Sequence, residues 1–462
     1  MSMKMTHQKD IPSSLTRIAA QTALILGHKP IEEPLREKAS LVLLDFLGCC
    51  LEAAQSEAGS RMLDYAAKSV TGPRGEIEAL TFGMLGHALI REDMHVPSGT
   101  HPGVVILPAM LALARRERLT GEAFVRGIVA GYHVMGALGA AARSGLKNRH
   151  FRPLGISGPF GATAGAIAAT RPSEEIAVNA LAFAANFASG LNQWPWSGGE
   201  EIYVHAGMAA RNALVALDLG HAGLRASPDI LEGEDGLFSA MGSGLEAARI
   251  FLERLAGTHS LLEVTHKPAA GCNFVQSAAA AALELNRRLG TKGTQGIRKI
   301  VISTFSAARG YPGCDSTGPF DYIEQRKMSF QYVICAALRF GQLDGESYAR
   351  YADNELMRLV ALTELRVDER FERRISPAQP ARVELALHDG TTVAQELSDV
   401  PWLSATDIRS NFKTQAAASL SAMKVQRLMA LVVDLWDQPD LSDFFEALDA
   451  TKCALPWTPQ SS

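Results

Sequence analysis

The residues in this chain best spaced for acid–base chemistry fall in one segment, His87 to His101. It holds His87, Arg91, Glu92, Asp93, His95 and His101, and runs through Pro97, Ser98 and Gly99 into His101-Pro102-Gly103. Histidine beside carboxylate suits proton transfer near neutral pH, because an unperturbed imidazole titrates there. A loop carried on rigid helices is also where catalytic groups commonly sit. The same residues have a structural use: Asp93 and His95 would cap the loop, and His101 would N-cap the next helix. Composition leaves both uses open.

A second cluster is cationic: Lys147, Arg149, His150 and Arg152, then Pro153 and the glycines 155, 158 and 161 before an Ala-rich stretch. Free amides and the helix dipole add to arginines at a helix N-terminus, which makes this a carboxylate site; the alternative is a solvated basic turn. Lys267 and the run Arg326-Lys327-Met328-Ser329-Phe330-Gln331-Tyr332 are singly unremarkable, and Trp194-Pro195-Trp196 would pack or wall a pocket.

Cofactor signals are missing from the sequence. It has no glycine-rich nucleotide loop after a predicted strand, no Gly-x-Ser-x-Gly elbow and no His-Glu-x-x-His pair. The cysteines, Cys49, Cys50, Cys272, Cys314, Cys335 and Cys453, are too scattered for a disulfide framework and lack zinc spacing. The expectation is a site made of titratable side chains alone, with no metal and no cofactor.

The elements that must position these groups are mostly helices. Leu35, Ala39, Val42, Leu43, Phe46 and Cys50 recur at helical spacing after Glu33-Pro34. Further helices are predicted over Val104–Arg116, Glu122–Ala142, Phe160–Thr170 and Glu174–Leu191, rich in the Ala and Gly that let helices approach closely. After Lys267 the character changes. Val275–Leu289 is helical, Lys299–Phe305 is β-branched, and Arg382–His388 alternates before an Asp389-Gly390 turn and a returning strand, Thr391–Leu397. Ala416–Trp436 is helical again. The predicted fold class is mainly α: a helical-bundle domain discontinuous in sequence (1–267 and 401–462), with an inserted smaller α+β lid domain (268–400).

Composition excludes some partners. With 462 residues, 47% hydrophobic, and 45 Lys+Arg against 49 Asp+Glu, the net charge of −4 offers no electrostatic case for nucleic acid or an anionic membrane. A small anion needs only a few local cations. Residues 1–10 are polar, no signal peptide is evident, and Phe124–Ala142, which contains Arg126 and His133, reads as a buried helix rather than a span. A cytoplasmic protein is expected.

In order and spacing, several segments resemble the MmgE/PrpD family, which includes 2-methylcitrate dehydratase, cis-aconitate decarboxylase and iminodisuccinate epimerase. They are Asp45-Phe46-Leu47-Gly48, His87-Ala88-Leu89, Asp93 through Pro102, Gly155 through Gly161, His205-Ala206-Gly207 to Arg211, Leu231-Glu232-Gly233, Lys267-Pro268 with Cys272, Ser329 to Tyr332, and Asp389-Gly390. The resemblance implies a helical bundle with an α+β lid, a homodimer, no cofactor, and a small anionic carboxylate as substrate. It also exposes departures. Where the dehydratase and decarboxylase branches carry Asp-x-Asp-Asp-Thr, this chain has Ile90 first and Met94 last; a family histidine is Arg152, a lysine is Ile202, and another histidine is Gln276.

His101, Asp93, Lys267 and Tyr332 are retained by position, and they are the implied catalytic residues. His101 with Asp93 would be one proton-transfer group, and Lys267 or Tyr332 the other. Arg152, with Arg149, His150, His95 and Gln276, would hold the substrate. Expelling hydroxide or CO₂ asks for more polar groups than Ile90, Met94 and Ile202 leave, whereas epimerisation next to a carboxylate needs two proton-transfer groups and cations. The expected activity is therefore a cofactor-independent epimerase of an amino-polycarboxylate of the iminodisuccinate type. The alternatives are a dehydratase or decarboxylase of a small tricarboxylate, and a non-catalytic metabolite-binding member.

Overall fold

The computed structural model describes residues 14–69, 74–146, 149–373, 378–451 and 453. The polar residues 1–10 and, from the cationic cluster, Lys147 lie outside these.

The first half is helical: α1 (Leu15–Leu26), α2 (Glu33–Ala53), α3 (Glu57–Lys68), α4 (Arg74–His87), α5 (Gly103–Glu117), α6 (Gly121–Leu146), α7 (Pro153–Thr170), α8 (Glu174–Asn186), the short α9 (Trp194–Ser197), α10 (Glu201–His221), α11 (Leu237–Ala240) and α12 (Gly244–Ala256). Small residues set the packing distances. A Cβ on Gly83 of α4 would stand 2.6 Å from the Cα of Gly207 in α10, so these helices cross backbone to backbone. That contact lies one turn from His87 on one helix and within one turn of His205 on the other. Among the described residues one helix, over Gly121–Arg143, is by itself long and apolar enough to cross a membrane; 94% of that window is buried among its neighbours.

The second half carries α13 (Gln276–Leu289), β1 (Ile297–Thr304), α14 (Ser306–Arg309), α15 (Ile323–Met328), α16 (Phe330–Phe340), α17 (Gly345–Ala349), α18 (Asn354–Ala361), β2 (Thr363–Val367), α19 (Glu369–Glu372), β3 (Ala381–Leu387) and β4 (Thr392–Leu397). The sheet order is β2-β1-β3-β4, with β1 parallel to β2 and antiparallel to β3. Alternation decides the buried face: Ile300 pairs with Leu385 and Ile302 with Val383, and all four are fully buried. The β3–β4 hairpin turns at Asp389-Gly390, where Gly390 has φ +87°, a left-handed conformation that favours glycine. The fold class is mainly α with a small α+β region, as the residue pattern predicts. Among the described residues three α-helices follow: α20 (Ala405–Ala417), which packs on α2, then α21 (Ala422–Val433) and α22 (Ser442–Asp449).

Three helix boundaries differ most from the periodicity. α7 begins at Pro153 rather than Phe160, because Pro153 occupies its first turn and the interior Pro159 is accommodated within the helix. α8 stops at Asn186 rather than Leu191, since Leu191 is taken into a bridge with Phe151. The helix expected over Ala416–Trp436 is broken: Ala418–Ser421 separate α20 from α21, and the Ser421 hydroxyl caps α21 by accepting from Lys424 N.

Candidate active site

The loop from α4 to α5 is pinned at both ends by main chain. Met94 and Thr265 exchange N–H···O bonds of 2.8 and 2.9 Å, which lays the strand-like segment before Lys267 along the loop. His95 N donates to Thr100 O (2.9 Å) and closes the turn, with Gly99 at φ +67°. Asp93 then caps the start of α5, accepting from Gly103 N at 3.0 Å and from the Tyr132 hydroxyl at 2.7 Å. A Cβ on residue 103 would come within 2.9 Å of both partners, so glycine permits the approach.

Inside this frame the histidines line up on one carboxylate. His87 Nδ1 donates to Glu92 Oε1 (2.8 Å), while the Arg152 guanidinium donates to His87 Nε2 (2.7 Å). His87 is therefore the Nδ1–H tautomer, and burial holds its pKa below the ordinary histidine value. His101 Nδ1 lies 2.8 Å from the main-chain oxygen of Asp93 and 3.3 Å from Glu92 Oε1. Both neighbours are acceptors, so Nδ1 carries the proton and Nε2 keeps its lone pair. Burial, then the charge of Lys267, keeps His101 well below the usual range, hence neutral. Burial works to raise Glu92, but Lys267 and the two histidines outweigh it and hold the carboxylate ionised.

Two lysines close the other side. Lys267 Nζ donates to the Ile90 carbonyl and stands 3.8 Å from Glu92 Oε1; Lys327 Nζ donates to the Ala88 carbonyl at 2.8 Å. Both thus meet carbonyls just past the C-terminus of α4, where cations are favoured. Burial lowers Lys327 to about 8. Ile90 has φ +55°, an outlier for a β-branched residue, and its carbonyl also accepts from Gly271 N (3.3 Å).

The residues singled out from sequence divide sharply. His101, Lys267 and Arg152 are brought together around Glu92. Asp93 reaches His101 only through its main chain; its carboxyl serves Gly103 and Tyr132, and burial raises it to about 7. His95 belongs to a separate cluster, with Nδ1 2.8 Å from Ser98 Oγ and Nε2 3.3 Å from Glu263, which also meets Arg254. Gln276 spends its amide on the main chain of Ala269, Gly271 and Cys272, shaping the loop after Lys267. Arg149 and His150 are exposed, whereas Arg152 is only 5% accessible and stacks over Trp194, its guanidinium carbon 5.1 Å from the ring. Tyr332 is buried against Phe320 and Tyr348, and its hydroxyl lies 3.3 Å from the Ser347 and Tyr348 carbonyls. Among the described residues no hydrogen bond or ion pair joins it to the cluster.

Other residues take the places those vacate. Glu92, rather than Asp93, is the carboxylate among the histidines. Tyr311 lies within electrostatic reach of Arg152 and Cys272, and burial raises its phenol, so it is a neutral proton donor. His205 on α10 feels Arg152 and His87, and burial brings it to about 4. The histidine was visible in His205-Ala206-Gly207; Tyr311 left only the turn-like Tyr311-Pro312-Gly313-Cys314 as a signal. Among the described residues, buried atoms of three members find no hydrogen-bond partner: Glu92 Oε2, Arg152 Nε and His205 Nδ1. Such groups cost about 1–3 kcal/mol each when left so, and an oriented polar ligand would satisfy them. Among the described residues no three His, Cys, Asp or Glu side chains are grouped to hold a metal ion.

The arrangement has a neutral imidazole base, a neutral phenol acid and several cations in a buried setting, the parts needed to take a proton next to a carboxylate. The chain matches the MmgE/PrpD N-terminal domain over residues 18–249 and the MmgE/PrpD C-terminal domain over residues 270–436. It is similar to a cis-aconitate decarboxylase of Aspergillus terreus, 23% identical over 485 aligned residues covering 96% of this chain and 98% of that protein. It is also similar to the cis-aconitate decarboxylase of Mus musculus, 24% identical over 397 residues, covering 79% of this chain and 76% of that protein.

Proposed function

We propose, from the premise that the chain belongs to the MmgE/PrpD family, that it is an enzyme moving a proton at the carbon next to a carboxylate in a small polycarboxylate. The observation that carries this is the His101 clamp: Nδ1 is held at 2.8 Å by the Asp93 carbonyl and lies 3.3 Å from Glu92 Oε1, itself 3.8 Å from Lys267 Nζ, which leaves Nε2 as the neutral base. In this reading His101 takes the α-proton, Arg152 and Lys267 hold the carboxylates, and their charge stabilises the enolate-like intermediate. Tyr311 supplies a proton. A positioned base contributes about 10²–10⁴-fold, and the preorganised cations supply much of the rest.

Return of the proton to the opposite face makes the reaction an epimerisation, with an amino-polycarboxylate of the iminodisuccinate type as substrate. The apolar, buried Ile90, Met94 and Ile202 support that outcome, since they offer nothing to an expelled hydroxide. The second reading is a lyase. It is favoured by the alignment with cis-aconitate decarboxylases over nearly the whole chain, and in it Tyr311 would protonate the carbanion left by CO₂.

The test is incubation in D₂O with a panel of small polycarboxylates, followed by NMR. Deuterium at Cα with loss of stereochemical purity is the expected result. An unsaturated acid or released CO₂ moves the assignment to the lyase. Neither exchange nor turnover with any of them overturns the enzymatic reading in favour of a binding protein.

A further inference from the structure

Cys272 and Cys314 are 42 positions apart in sequence, yet their sulfurs lie 3.7 Å from each other in the interior. Cys272 follows the Lys267 loop and donates its main-chain N–H to Lys327 O; Cys314 ends the turn that carries Tyr311, with Cys314 N donating to Tyr311 O at 3.0 Å. Thiols working as bases on two faces of a substrate carbon must leave room for that carbon, and these do not. The sulfurs are already in contact, so oxidation has only to draw them together into a bond.

The geometry points to Cys272 and Cys314 as a reversible oxidation site, a dithiol that a hydroperoxide converts to a disulfide joining the Lys267 loop to the Tyr311 turn. The Cys272 sulfur attacks the hydroperoxide; an S–O bond forms, the O–O bond breaks, and water or an alcohol leaves. The Cys314 sulfur then attacks the sulfenic acid, its proton departing with the hydroxyl as water while the S–S bond forms. Two thiols lose two electrons and one hydroperoxide gains them. The order of attack follows from the surroundings. The hydrogen bond between the two thiols, with the Phe274 N–H, Lys267 and Arg152, overcomes burial and lowers the Cys272 pKa, whereas burial raises Cys314. Cys272 is also the more accessible, 5% against none. Burial raises Cys49, Cys50, Cys335 and Cys453.

The full chain, reduced and freed of reductant, is exposed to hydrogen peroxide, alkylated, digested without reduction and mapped by mass spectrometry. The expected result is a Cys272–Cys314 linked peptide in most molecules, with the other four of the six cysteines alkylated and the link reversed by dithiothreitol. Dimedone present during oxidation should trap Cys272, and more strongly in Cys314→Ala. A linked peptide that is absent while other cysteines oxidise overturns the inference, as does Cys272 passing to sulfinic acid without a disulfide in the wild-type chain.

Discussion

The imidazole of His101 is oriented by Asp93 through a main-chain carbonyl, Nδ1 to O 2.8 Å, while the Asp93 carboxyl is engaged elsewhere, by Gly103 N and the Tyr132 hydroxyl. A carbonyl only accepts, so it fixes the tautomer and leaves Nε2 unprotonated, as the proposed base must be. His101→Gln removes the base and keeps much of the volume. The expected loss is about 10²–10⁴ in kcat with a smaller change in KM. Steady-state kinetics on the substrate found by the NMR panel checks this, and unchanged kcat would sink the assignment.

The acid limb of kcat/KM reports the free enzyme's base. Because burial and Lys267 hold His101 below the ordinary histidine range, protonation should abolish activity only well under pH 6.5. The Glu92 carboxylate favours the protonated imidazole, so Glu92→Gln should move that limb to still lower pH. A wild-type limb centred at or above 6.5 contradicts the assignment.

Two tyrosines separate the proposed site from the one implied by resemblance. Tyr311→Phe should lower kcat by about 10²–10⁴-fold, as for loss of a general acid. Tyr332→Phe should leave kcat within about twofold and reduce stability by roughly 1 kcal/mol, the usual worth of a hydrogen bond to main chain. The reverse ranking would restore Tyr332 to the chemistry.

Arg152→Lys retains a cation but loses the planar fork, the contact with His87 Nε2 and the stacking on Trp194. Substrate carboxylate binding should weaken, with KM rising about 10–100-fold, the equivalent of one charge-assisted hydrogen bond. Isothermal titration with a non-reacting dicarboxylate gives the same comparison without turnover.

Asp93 makes a prediction about stability. Its carboxyl is raised to about 7 in the native state against roughly 3.9 unfolded, so the folded chain binds the proton more tightly and loses stability as pH rises between those values. The buried His87, His101 and His266 run the other way: their native values are lowered, so stability falls as pH drops below roughly 6.5. Asp93→Asn keeps the acceptor for Gly103 N and isolates the first effect. Relative to this variant, the wild type should lose about 3 kcal/mol between pH 5 and 8 in urea denaturation. An equal difference at both pH values would refute the assignment.

Much of the architecture was legible because its signals are local. Helical recurrence after Pro34, alternation from Arg382 to His388 and the Asp389-Gly390 turn each lie within a few residues of what they specify. The density of titratable groups between His87 and His101 is local too, so the segment could be found by reading along the chain. Orientation could not. Glu92 and Asp93 are neighbours with like chemistry, yet one faces two histidines and the other caps a helix. The Met94–Thr265 pairing spans 171 positions and brings Lys267 to Glu92; the Gly83–Gly207 crossing brings His205 toward His87. Tyr311 and Tyr332 look alike in sequence, and only packing places one near Arg152 and the other against Phe320 and Tyr348. Which elements form, and which residues can move protons, follow from short-range pattern and side-chain type. Which of those residues meet depends on the folded chain, because long-range main-chain pairing and close helix contact set side-chain direction, and no short segment encodes either.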